Sequence, residues 1–290
     1  MNNQQKKWLY LTILSLVWGS SFILMKKALI SLSPIQVAAL RTLIAAFFIL
    51  IVGYKNLQKI KKRHWKYVLI SALVGTFFPA FLFAYAIKGI DSSIASILNS
   101  LTPFNTFIFG ALVFGFVFKK KQFIGILIGL VGTLILILKG ANLNPDQNYW
   151  YALLPIIASV GYAFNVNIIK KYLHDLDGLT ITTGHFLLVT IPVLIILGFT
   201  GFFTEFELNS ATKPALLYII ILSILGTAVA KVIFNDLVHI SSPVFASSVT
   251  YLIPIIAVMW GVFDGEKLSV VQLLAGVIIL FGVWLVNKTK

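Results

Sequence analysis

The 290-residue sequence has no cysteine, which excludes disulfides and thiolate metal sites. Charge is scarce too: only 11% of residues are charged, with nine acids against 23 bases. A soluble domain is nearer half apolar and a quarter charged, whereas this chain is 59% hydrophobic. Such a composition leaves too few polar groups to coat a surface in water. There is no phosphate-binding Gly-rich Lys-Ser/Thr loop, so the chain carries no ATP engine. No HExxH or GxSxG element is present, and no carboxylate pair lies within an apolar run, so we expect no enzyme and no cofactor. The net charge of +14 raises nucleic acid as a partner. The Lys and Arg residues, however, lie in short loops between apolar runs, where they set orientation in a bilayer. Nucleic acid is therefore not expected.

Ten apolar runs fill the chain, at 8–29, 35–54, 65–87, 92–117, 122–138, 149–170, 178–200, 214–236, 242–263 and 269–286. A spanning helix needs about 20 mostly apolar residues, so little is left for a soluble domain. The predicted fold class is an all-α integral membrane protein with ten transmembrane helices. Ser33-Pro34, Asp91-Ser92 and Ser241-Ser242-Pro243 supply chemistry for helix starts. Lys6 and Lys7 before an apolar run resemble a signal peptide, but the run exceeds a signal core and no small-residue cleavage site follows. It is expected to stay as helix 1. With the N-terminus inside, cytoplasmic flanks carry 15 Lys and Arg, against four (Lys88, Lys139, Lys213, Lys267) outside. That bias predicts a multi-pass inner-membrane protein with both termini cytoplasmic. The basic stretch 55–66 also suits contact with anionic lipid.

The halves echo each other. At an offset of 151 residues Ser96 falls on Ser247, Asn99 on Thr250, Pro103 on Pro254 and Gly110 on Gly261. At 150, Gln122 falls on Gln272 and Gly132 on Gly282. Trp18 aligns with Tyr162, and Lys26-Lys27 with Lys170-Lys171. An odd number of helices separates the copies, so the second enters the membrane from the opposite side. The expected organisation is two inverted five-helix repeats, 1–140 and 141–290. Inverted repeats with polar sites near the midplane are a hallmark of secondary transporters. Ser96, Asn99 and Pro103 share one helix face, as do Ser247, Thr250 and Pro254. Each proline frees a carbonyl one turn earlier, tolerable in lipid only where protein or a watery cavity satisfies it. The competing reading is that these polar groups bond across helices and the prolines only shape packing.

Four stretches resemble the drug/metabolite transporter superfamily, specifically the ten-helix EamA-like family. They are Trp18-Gly19-Ser20-Ser21-Phe22; Arg41 with Ala45-Ala46; Ala95-Ser96 through Pro103; and Pro254, Gly261, Gly265-Glu266, Gln272, Gly276 and Gly282. The resemblance covers nearly the whole chain. It implies a central cavity lined by helices 1, 3, 4, 6, 8 and 9, and transport of small metabolites, often amino acids or their derivatives, commonly by export. Two departures stand out. The family's acid at the end of helix 9 is present as Glu266, but the matching place in the first half is Phe116, followed by Lys119-Lys120-Lys121. An aromatic or small residue is usual near Lys231.

An ionisable group within a span is a functional hypothesis by default. Arg41 suits a substrate carboxylate, or else braces helix-end carbonyls. Lys231 meets an anionic group or snorkels to the cytoplasm. Asp236 is off its face, and at least one of Lys26 and Lys27 reads as a solvated flank. Substrate-binding candidates are Trp18, Arg41, Tyr85, Ser96, Asn99, Tyr162, Asn165, Lys231, Ser247, Thr250 and Tyr251, with Asn167 and Asn235 as further contacts. His185 is the proton-coupling candidate, because its ordinary pKa suits that task; a hydrogen-bonded packing role is the alternative. Gly125, Gly129 and Gly132 allow close approach of helix 5, which with helix 10 reads as scaffold. The reading is a secondary transporter of small metabolites working by alternating access; the resemblance alone implies an exporter. Its rivals are a lipid-acting membrane enzyme using His174, Asp175 and Asp177, and a non-transporting scaffold or sensor. The expected partners are a small-molecule substrate and the bilayer; nothing in the sequence decides the oligomeric state.

Overall fold

The computed structural model describes residues 2–115, 120–143, 146–210 and 212–288. Phe116, Lys119 and the predicted end of segment 4 at 117 lie outside these residues, as do the side chains of Lys120, Lys121 and Gln122. Among the described residues the chain is helical and has no strand. Eight helices are long and apolar enough to cross a membrane. They are α1 (Asn3–Ala28), α2 (Pro34–Lys59), α3 (Lys62–Gly89), α4 (Ser92–Phe114), α6 (Tyr149–Tyr172), α7 (Gly178–Gly198), α8 (Thr212–Ile240) and α9 (Pro243–Phe263). At the fifth and tenth positions lie α5 (Lys120–Leu143) and α10 (Val270–Lys288). Their apolar stretches, Leu127–Leu136 and Val270–Gly282, are shorter. Among the described residues eight spans therefore meet the length and composition that a crossing requires, and α5 and α10, both bordering residues that are not described, hold the fifth and tenth places of the expected ten.

Local chemistry explains the helix starts. Asn2 and Gln5 form a capping box that begins α1 five residues before the apolar run does. Ser33 and Gln36 do the same for α2, with Pro34 in the first turn. The surface inverts the pattern of a soluble protein. Phe47, Leu112 and Phe199 are exposed, while Ser96, Asn105, Asn167 and Thr182 are buried. An apolar exterior suits hydrocarbon, where polar side chains must pair inside. Asn105 accordingly donates to Ser159 Oγ at 2.7 Å, and Asn167 to the Thr106 carbonyl at 3.1 Å.

Helix pairing repeats when each index moves by five: α1 packs on α8 and α9, and α6 packs on α3 and α4. The pairs α2–α7 and α5–α10 map onto themselves. Irregular turns recur with the same spacing. Wide π-helical turns occupy Leu73–Phe77 in α3 and Ile224–Val229 in α8, starting 151 residues apart. Helix α4 breaks after Asn99 and restarts at Thr102; α9 narrows over Ser248–Tyr251 and restarts at Ile253. Both restarts carry a proline in the first turn. Around the first break the Thr102 hydroxyl donates to the Asn99 carbonyl at 2.7 Å, which Pro103 cannot reach with an N–H.

The α5–α10 pair packs backbone against backbone. A Cβ at Gly282 would lie 2.6 Å from the Gly129 nitrogen and 2.7 Å from the Gly125 carbonyl oxygen. Backbone cannot retreat as a flexible side chain can. Gly282→Ala is therefore predicted to destabilise the protein by about 1–3 kcal/mol, seen as a lower melting temperature in detergent. An unchanged melt would mean that the two helices do not touch there.

Candidate functional site

The two π turns create the site's polar poles. Pro79 has no N–H to give the Gly75 carbonyl four residues earlier, and Lys231 Nζ from α8 donates to that oxygen at 2.7 Å. In α8 the Ala230 N–H goes to Leu225 and Thr227 and not to Gly226. The Gly226 carbonyl is taken by Trp18 Nε1 from α1 at 2.9 Å. Each glycine is also a point of contact: a Cβ on Gly75 would strike the Asn165 side chain, and one on Gly226 the Ser21 hydroxyl. Asn165 accepts from Ser71 Oγ at 2.6 Å.

Between these poles lies a central cavity of about 950 Å³, counting the space that continues into solvent. Helices α1, α2, α3, α4, α6, α8 and α9 line it. Of the candidates, Trp18, Arg41, Asn99, Tyr162, Asn165, Lys231, Ser247 and Thr250 all face it. Arg41 Nε donates to Thr227 Oγ1 at 2.6 Å, so the guanidinium is anchored in the cavity wall by α8. Lys231 is buried and does not snorkel. The walls are aromatic: Trp18 lies against Phe234 with ring centroids 5.1 Å apart, and Phe83 against Phe22 (5.7 Å) and Tyr162 (6.1 Å).

Other candidates lie elsewhere. Tyr85, Ser96 and Tyr251 are outside the lining; Ser96 Oγ donates to the Ser93 carbonyl of its own helix at 2.7 Å. His185 is buried in α7, off the cavity, with no hydrogen-bond partner for either ring nitrogen among the described residues. Asn167 bonds to α4 and Asn235 to Thr182 of α7 at 3.0 Å. Asp236 accepts the Gly178 N–H at 2.9 Å, docking the start of α7. Sequence reasoning missed Gly75-Thr76 and Gly226-Thr227, which line the cavity and match at the 151-residue offset. The lining implied by the resemblance left out helix 2, which joins the wall through Arg41, itself a candidate, and Thr42.

One end of the bundle is tied by charge. Lys26 bonds Asp264 at 2.8 Å and Glu266 at 2.9 Å, and Lys27 pairs with Asp264, so both lysines are paired with acids while staying partly exposed. Asp91 makes no cap bond for α4. Glu266 does so instead, accepting from the N–H and hydroxyl of both Ser92 (3.0 and 2.6 Å) and Ser93 (3.1 and 2.5 Å). A carboxylate is well placed at a helix N-terminus. At Lys170, the residue aligned with Lys26, the partners are carbonyls: Val238, His239 and Ser241 at 3.2, 3.0 and 2.6 Å. Of the enzyme candidates, the two acids are in ion pairs, while His174 is exposed with its Nδ1 3.3 Å from the Lys171 carbonyl. Asp175 meets Arg63 at 2.6 Å and His64 at 3.1 Å, and Asp177 meets Lys59 at 2.8 Å while capping α7 through Thr180. Against the pull of burial, the Arg63 and Lys59 hydrogen bonds hold these acids below the usual carboxylate range. No group able to hold a metal ion occurs among the described residues.

Burial favours the neutral form of Glu266, but the Ser92 and Ser93 hydroxyls and Lys26 hold it below its ordinary 4.5. A depressed folded-state value gives stability that is complete above the unfolded value and is lost as pH falls through the folded one. Glu266→Ala strands two N–H groups and part of the Lys26 charge, and should destabilise by about 3 kcal/mol at neutral pH. Melting temperatures across pH check both statements: the gap between wild type and Glu266→Ala should close only below the ordinary value of 4.5. A gap independent of pH would contradict them.

The EamA-like transporter family model matches residues 6–138 and again 149–288. An uncharacterized inner membrane transporter of Escherichia coli K12, YedA, is 28% identical over 96% of this chain and 89% of its own length. The Bacillus subtilis uncharacterized transporter YvbV is 26% identical over 97% and 92%. A crystal structure superposes with a TM-score of 0.66 at 17% identity, covering 96% of this chain and 94% of that one, which shows a shared fold. With both halves matched, the chain belongs to the EamA-like transporter family.

Proposed function

We propose that the protein is a secondary transporter that carries a small metabolite, of the amino acid or related class, outward across the inner membrane by alternating access. One observation carries this reading: a central cavity with polar poles and aromatic walls, bounded by helix irregularities that recur in both halves at one spacing. Freed backbone carbonyls are tolerated at membrane depth only beside protein or a water-filled cavity, and discontinuous helices at a repeat interface are where transporters hold cargo. The repeat units are 1–140 and 141–290, inverted in the membrane, with both termini cytoplasmic. The doubled family match and the five-step recurrence of helix pairing support that division. The inner membrane follows the name of the Escherichia coli relative. Opening would proceed alternately at the Lys26–Glu266 end and the Lys170 end, which carry different bonds. The cargo contacts are Trp18, Arg41, Asn99, Tyr162, Asn165, Lys231, Ser247 and Thr250. His185 is kept as the proton-coupling group, its buried ring nitrogens having no partner among the described residues.

Flux of a metabolite panel into proteoliposomes under a set pH gradient tests the reading. Saturable flux is expected for wild type, reduced about tenfold or more by Asn99→Ala and by Lys231→Ala. Equal flux in all three would remove the cavity from the transport path. Reporter fusions at each end should both score cytoplasmic; ends on opposite sides would end the inverted-repeat reading.

A further inference from the structure

Among the described residues the central cavity is lined by two cations, Arg41 and Lys231, and by no Asp or Glu. Each cation keeps donors in reserve. Arg41 uses its Nε on Thr227, and its two terminal amino groups have no acceptor among the described residues. Lys231 gives one of three donors to the Gly75 carbonyl. Neither bond neutralises a charge. Buried charges are ordinarily paired, because desolvation is costly. Acids that could have paired are used elsewhere: Asp236 on the Gly178 N–H, Asp264 and Glu266 on Lys26. Arg41 cannot shed its proton as a buried lysine can, so a counter-charge brought by whatever occupies the cavity is the one left to meet it. A cationic cargo would bring an ammonium beside two positive groups with no carboxylate to receive it. The remaining walls are rings, Trp18 against Phe234 and Phe83 against Tyr162.

We propose that the cargo is an organic anion: its carboxylate or similar oxyanion group sits between Arg41 and Lys231, and an apolar, ring-sized body lies against the aromatic walls. This rests on the transporter reading and narrows it to a charge class. Arg offers a fork matched to an oxyanion, and Lys a point charge. Their separate backbone and threonine anchors hold both in place without cargo.

Three probes with the same phenylpropyl carbon skeleton separate the possibilities: 3-phenylpropionate, 3-phenylpropylamine and 3-phenylpropanol. Binding to the purified full chain is read as a shift in melting temperature. Flux into proteoliposomes is read with 3-phenylpropane-1-sulfonate, which stays charged and does not leak as a neutral acid. The carboxylate is expected to bind about tenfold or more tightly than amine or alcohol, a gap of about 1.4 kcal/mol. Arg41→Gln and Lys231→Gln should each abolish that preference, and Arg41→Lys should keep part of it. If the amine or alcohol binds as well as the carboxylate, the anion assignment falls, whatever is transported. If the carboxylate binds selectively but the sulfonate shows no saturable flux, the anion site stands and the transport reading fails. Binding of none of the three probes overturns the proposal. Because the comparison among probes uses wild-type protein, it does not depend on any variant folding.

Discussion

Backbone that leaves its helical ladder inside a bilayer must find another partner, and that constraint organises this molecule. Two π turns and two broken helices expose carbonyls at the heart of the bundle. Those of Gly75 and Gly226 are satisfied by side chains from distant helices, Lys231 and Trp18. The result is a cavity whose walls are cross-braced. A lysine that would otherwise be expensive in a span has a dedicated acceptor, and the ring of Trp18 is held at a fixed tilt beside Phe234.

The same need explains why the two ends differ. In one half a lysine at the end of α1 meets carboxylates; its counterpart at the end of α6 meets only carbonyls. Glu266 does two things at once. It balances Lys26, and its four contacts with Ser92 and Ser93 satisfy the start of α4. Among the described residues acidic charge is thus concentrated where helix ends need it and withheld from the cavity, which Arg41 and Lys231 line. Scaffold and site also separate cleanly. The α5–α10 pair, packed through backbone approach at Gly282, gives no lining residue among those described.

Much of the arrangement was legible in residues. Apolar runs located the helices to within a few positions, and the Pro103 and Pro254 pair marked both restarts. Asn99, Ser247 and Thr250 were placed at the cavity by their helical spacing with those prolines. Ser96, at the same helical spacing, lies outside the lining, and its hydroxyl donates to the Ser93 carbonyl. The π turns were missed although Gly75-Thr76 and Gly226-Thr227 keep the 151-residue offset. A glycine–threonine pair reads as packing until a proline or a wide turn shows which carbonyl it releases. Lys26 and Lys27 gave no sign of their pairing, because a lysine near a helix end looks solvated when its acid lies some 240 residues away along the chain.

The sequence by itself determined the apolar spans, the order of the breaks and the repetition of both, since hydropathy, proline and offset are properties of the chain alone. Tertiary structure decided which donors meet the freed carbonyls, which acids are used up and which cations are left facing the cavity. These depend on contacts between residues far apart in sequence, where a rotation of one helix decides whether a side chain points to lipid, to a neighbour or inward.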